Sequence, residues 1–144
     1  MRTLIFAVSV VLLAGCAGNR DAEQPQSTAA APYAAYAGDW LVEAFVADQE
    51  EGIALIDLEA TDTAEGWTMA FSHLDAPLPA DVSMKGDSAV VSVGPFPSSL
   101  REGATVENVT VTFKVDGDAG VGRFVVIYAD GETLRGWTTG VRAE

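Results

Sequence analysis

From Thr105 to Val115 the chain alternates residue by residue: Val109, Val111, Phe113 and Val115 fall on one face, and Thr110, Thr112 and Lys114 on the other. Successive side chains of a strand point to opposite faces, so this period of two demands a strand with one buried side and rules out an amphipathic helix. Similar short β segments recur. Trp40–Ala47, Ile53–Ala60, Gly66–Ser72, Asp81–Lys85, Ser88–Val93, Gly120–Ala129 and Thr133–Arg142 read as further strands. They are separated by Asp48–Gly52, Gly86-Asp87, Asp116-Gly117-Asp118 and Asp130-Gly131, which are residues suited to tight hairpin turns. The stretch Asp75–Pro79 is read as unable to sustain a ladder, because each of its prolines lacks an N–H. Gly94–Gly103 is the longest connection, with at most one helical turn at Ser98–Glu102.

Eight strands joined by short connections predict an all-β domain over residues 37–144. The predicted fold is a single antiparallel meander closed into a small barrel, with a two-sheet sandwich as the alternative. Closure removes the exposed edges that invite aggregation. The preceding segment, Ala17–Tyr36, is rich in Ala, Pro, Gln, Ser and Thr and has no strand or helix period. It reads as a flexible tether, with docking of Tyr33 and Tyr36 onto the domain edge as the alternative. The chain carries 21 acidic against 8 basic residues, a formal net charge of −13. Such a surface repels nucleic acid, so no nucleic-acid partner is expected.

The amino-terminal residues have the parts of an export signal: Arg2, then the apolar run Thr3–Leu12, then Leu13-Ala14-Gly15-Cys16. The apolar run is short of the roughly 20 residues a spanning helix needs. Leu13-Ala14-Gly15-Cys16 resembles the lipobox of bacterial envelope lipoproteins, and Cys16 is the single cysteine of the chain. The resemblance implies a signal peptide over residues 1–15, lipid attachment at Cys16, and a tether over 16–36. It further implies a membrane partner through the lipid anchor and a place in the cell envelope. Ala17, rather than Asp, follows the cysteine, which leans toward the outer membrane, facing the periplasm or the cell surface, in a two-membrane bacterium. Several acyl chains hold a protein firmly where one holds weakly, at about 0.8 kcal/mol per buried methylene. An acylated Cys16 is removed as a nucleophile or metal ligand, and no disulfide framework remains.

Gly38-Asp39-Trp40 opens the first strand. A Gly-x-Trp ahead of a run of hairpins is similar to the start of lipocalin-like (calycin) barrels. That resemblance implies that Trp40 closes one end of the barrel and that an arginine of the last strand packs across it. Arg142 fits this part, with Arg135 as the competitor. The resemblance also implies an apolar cavity, for which Trp67, Met69, Phe71, Phe113, Phe124, Tyr128 and Trp137 are the candidate lining residues. In a barrel this small such side chains more often simply fill the interior.

No catalytic constellation is singled out. His73 is the single histidine, and its neighbour Ser72 points to the opposite strand face, poorly placed to exchange a proton with it. The acidic runs Asp48–Glu51 and Asp116–Asp118 read as solvated hairpin tips, since neither supplies the six to eight oxygens calcium takes. No metal and no cofactor is expected. Asp57 and Glu59 share a strand face with Ile53 and Leu55, which places them where that face leaves the core. The first strand is apolar on both faces, with Leu41 and Phe45 opposite Trp40, Val42 and Ala44, so something is expected to cover its outside. Phe96–Arg101 has the composition of a lid over a barrel mouth, with a rigid surface connection as the alternative. The expected function is non-catalytic binding of a small hydrophobic or amphipathic ligand. The alternative is an accessory envelope lipoprotein that acts through a protein partner and has no cavity.

Overall fold

A computed structural model describes residues 31–144. Cys16, the lipobox and most of the proposed tether lie outside the described residues. Ten strands form one antiparallel sheet. They are β1 (Gly38–Val46), β2 (Ala54–Ala60), β3 (Thr68–Phe71), β4 (Leu78–Pro79), β5 (Asp81–Lys85), β6 (Ser88–Val93), β7 (Phe96–Pro97), β8 (Thr105–Asp116), β9 (Ala119–Tyr128) and β10 (Thr133–Arg142). The order is β4-β3-β2-β1-β10-β9-β8-β6-β5, with β7 beside β8, so first and last long strands pair and the sheet nearly closes into a barrel. This is the predicted meander rather than the sandwich. β4 and β5 are separated by Ala80 alone and act as one bent strand. Its start pairs with β3 and its end with β6.

Two short strands fall in segments expected to be loop. Leu78 and Pro79 pair with Met69 and Thr68, and Phe96 and Pro97 pair with Val106 and Thr105. Both pairings last two residues, which a proline permits because little ladder follows it.

Burial follows the period of two. β1 turns Trp40, Val42 and Ala44 inward, β2 turns Ile56, Leu58 and Ala60 inward, and β3 turns Met69 and Phe71 inward. In β2 the inward set is therefore the even-numbered one. Leu55, Asp57 and Glu59 all face outward, so the two carboxylates lie on a wholly external face rather than at the edge of the core. β8 needs a correction of phase to bury both Val106 and Val109, and a register shift between Val106 and Asn108 supplies it. The extra residue, Glu107, is left exposed, as a bulge requires.

One end of the barrel is packed solid. Tyr36, Trp40, Trp67 and Phe113 are each no more than 2% exposed. The Trp40 and Phe113 rings meet edge to face at 5.7 Å, and Tyr36 lies 5.8 Å from Trp67. Phe113 fits because the facing strands carry glycine: a Cβ at Gly120 would fall 2.1 Å from its ring, and one at Gly140 2.7 Å. Tyr36 corrects the sequence reading. It belongs to the core, not to a tether, and Tyr33 packs edge to face on Trp67 at 6.3 Å. The described chain is therefore part of the domain well before residue 37. The aromatic pair is held by hydrogen bonds that a random coil lacks. The Trp40 indole donates to the Tyr36 carbonyl at 2.7 Å, and the Tyr36 phenol donates to the Asp87 carbonyl at 2.8 Å while accepting from Ala89 N–H at 3.2 Å.

Candidate functional site

The closed end ties the two ends of the described chain together through Arg142. Its guanidinium carbon stands 4.3 Å from the centre of the Trp40 ring, an arrangement worth roughly 0.5–2 kcal/mol. The same group donates to Asp118 Oδ1 at 3.0 Å, to the Ala35 carbonyl at 3.1 Å and to the Ala37 carbonyl. Gly38 is required beneath it. It adopts a φ of +124°, and a Cβ there would lie 2.8 Å from the guanidinium. Arg135, the competing candidate, is exposed on the outer face of β10.

The opposite end is open. Between its strands lies a cavity of about 50 Å³ whose walls are almost wholly apolar. Phe71, Phe124 and Tyr128 line it, together with Ala44, Ala54, Ile56, Val109, Val111 and Val126. The cavity exists because of a row of small side chains. Ala44 pairs with Ala54 on one side and Thr138 on the other, and Thr138 pairs with Gly122. Four neighbouring inward positions thus carry no side chain larger than threonine. The Phe124 ring is also drawn aside over Gly136, where a Cβ would fall 2.6 Å from it.

Of the residues expected to line a cavity, these three come together. Trp67, Met69 and Phe113 instead fill the closed half. Trp137 is a correction. It is 43% exposed on the outside of the barrel, where it stacks on Phe45 with ring centres 5.7 Å apart and planes 9° apart. Its odd-numbered position in β10 sends it outward, because Thr138 and Gly140 point in. The stack also provides part of the cover for β1 that its two-faced apolarity calls for.

Thr138 is the feature that the sequence reading missed. It is 1% exposed, it lines the cavity, and its Oγ1 has no hydrogen-bond partner among the described residues. An unpaired buried hydroxyl costs about 1–3 kcal/mol on the protein mutational scale. The available signal was the alternation Leu134, Gly136, Thr138, Gly140 in β10: one polar residue among small ones on an inward face.

The rim of the cavity is formed by exposed His73, Ser99 and Leu100. The Phe96–Arg101 segment lies across it and is fastened at both ends. Phe96 is buried with its ring 4.7 Å from Phe71, and the carbonyl of Pro97 lies 2.9 Å from His73 Nε2. Arg101 donates from Nη2 to Asp130 at 3.0 Å, lies over the Tyr128 ring at 4.5 Å, and approaches Glu132 at 3.0 Å as an ion pair without hydrogen-bond geometry. The Asp130 carboxyl is held below its ordinary pKa, first by the Glu132 N–H and then by Arg101. The Ser98 hydroxyl accepts from the N–H groups of Leu100 and Arg101, both at 3.1 Å, which makes this segment a side-chain-capped turn in place of a helical one.

His73 therefore serves as a tie for this segment, and no serine hydroxyl is bonded to it. Among the described residues no three His, Cys, Asp or Glu side chains are grouped to hold a metal. The acidic tip at Asp48 takes a φ of 68°, which a short polar side chain tolerates, and Asp118 is engaged by Arg142. Compared with known proteins, the chain matches no family model, no curated protein sequence and no solved structure.

Proposed function

We propose that this protein is a lipid-anchored envelope protein whose barrel takes up a small hydrophobic or amphipathic molecule at its open end without transforming it. The observation that carries the reading is the apolar cavity at that end, set against a solid opposite end. The closed half is filled by Tyr36, Trp40, Trp67 and Phe113, all buried. The glycines at the closed end are filled by the Phe113 ring, whereas the row Ala54, Ala44, Thr138 and Gly122 lies beside the cavity. The chain joins the barrel at the closed end, through Tyr36 and Arg142. An anchor upstream of residue 31 thus leaves the mouth free on the far side.

The test has two arms. Cells fed labelled palmitate should incorporate it into the full chain and not into the Cys16→Ser variant. Native mass spectrometry of the purified protein should find a small-molecule adduct that Ala44→Leu, which fills the cavity, removes. An unlabelled chain sinks the anchor; a chain that carries no adduct in any preparation sinks the ligand.

A second reading, contact with an envelope protein, is favoured by the outer face of β1, β2, β9 and β10. Val121 is 62% exposed, Val141 55%, Leu55 51% and Trp137 43%, beside the Phe45–Trp137 stack. A photo-crosslinking residue placed at position 137 should then trap one dominant protein in intact cells. Trapping none removes this reading.

A further inference from the structure

We infer that the cavity's ligand enters with a polar but uncharged end first, and that this end hydrogen-bonds to Thr138. The inference rests on the binding reading above and specifies its ligand. Thr138 Oγ1 is buried, lines the cavity and is unpartnered, while the surrounding walls are apolar. A hydroxyl both donates and accepts, so an alcohol, a ketone or an amide would satisfy it equally. A carboxylate or an ammonium could bond to it too, but its charge tells against it. Among the described residues no Asp, Glu, Lys or Arg lines the cavity, His73 stands at its rim, and Arg101 is bound to Asp130 over the Tyr128 ring. An ion moved past them would lose its hydration with no opposite charge to replace it. A fatty acid could enter tail first with its head at the rim, but that orientation leaves the threonine as bare as before. The shape agrees. The cavity measures about 50 Å³, room for a narrow chain end and not for a ring system. An engineered cavity of about 150 Å³ is what holds a benzene molecule. The ligand class is therefore a slender neutral amphiphile whose apolar remainder points out between Leu100 and His73.

The experiment is an NMR titration of the full chain, in detergent if the anchor is present, following the methyl signals of Val109, Val111 and Val126. Three probes of equal length are compared: pentan-1-ol, hexane and pentanoate. The expected result is that pentan-1-ol binds about tenfold more tightly than hexane, the discrimination a buried hydrogen bond supplies. Pentanoate should bind weakest of the three. In Thr138→Val the alcohol should lose that advantage while hexane binds as before, and Thr138→Ser should restore it. Should Thr138→Val fail to fold, the three-probe comparison on the unaltered protein still decides. Equal affinity for alcohol and alkane, tightest binding of pentanoate, or a bound water on Thr138 that pentan-1-ol does not displace would overturn the inference and leave a ligand-binding barrel standing. No methyl shift with any probe would overturn the binding reading itself.

Discussion

Tyr36 is the residue on which the amino-terminal boundary of the domain turns. Its phenol is buried and its hydroxyl meets three backbone groups, the carbonyls of Asp87 and Phe113 and the Ala89 N–H. Tyr36→Phe leaves that N–H unpaired, and unfolding in urea should show a loss of about 1–3 kcal/mol. Burial raises the phenol's pKa from its ordinary 10.0, since the charged form is the one that loses hydration. The sign follows from linkage. The contribution is fully present below the unfolded value and is lost as pH rises through the higher folded one. Wild type should therefore lose more stability than Tyr36→Phe between neutral and strongly alkaline urea titrations; parallel curves would contradict the assignment. Gly120 makes the complementary point about space. Gly120→Ala puts a methyl group against the Phe113 ring, and the expected destabilisation is about 1–3 kcal/mol by overpacking.

At the scale of elements, the strand pattern was legible and its interruptions were not. The eight long segments read from the sequence correspond to β1, β2, β3, β5, β6, β8, β9 and β10. The alternation that reveals a strand also shows which residues point together. It does not say which set points in, as β2 demonstrates: Leu55 with its carboxylates faces out while Ile56 and Leu58 face in. The two-residue strands β4 and β7 are invisible because proline argues against a ladder and nothing local reveals a partner. The segment Phe96–Arg101 is held by a clamp that acid releases. The Asp130 carboxyl is held low by Glu132 N–H and Arg101, so the clamp is intact above the ordinary carboxylate value of 3.8 and fails as pH falls through the lower folded value. Hydrogen exchange at residues 98–103 should quicken under acid, and Asp130→Asn should reproduce that quickening at neutral pH. The unfolding midpoint should barely move, because this pair is solvent-exposed. Exchange that ignores both changes would show that the clamp does not restrain the segment.

For the whole molecule, the near-closure of the sheet makes the two ends of the described chain interdependent. β1 lies beside β10, and Arg142 reaches over Trp40 to the carbonyls of Ala35 and Ala37. A chain begun at Ala37 loses Tyr36 from the core and one partner of Arg142, the Ala35 carbonyl. It should be about 3–5 kcal/mol less stable in denaturant than one begun at Ala31, the usual cost of emptying an aromatic site. Equal stability would mean that Tyr33 and Tyr36 only rest on the surface.

The amino-acid order by itself determined the class of fold, the count of long strands and the positions of most turns. Each depends on a period of two and on turn chemistry within a few residues. It also marked Trp40 and Arg142 as partners to consider, through a motif and a position in the last strand. The tertiary structure decided what depends on register between strands distant in sequence. Pairing Ala44 with Thr138 and Thr138 with Gly122 set small side chains in one row, and that row is the cavity. The same register sent Trp137 outside and left one hydroxyl unpaired within. Which strand face is inner, and which residues meet across it, is fixed only when the sheet curls round to join its first strand to its last.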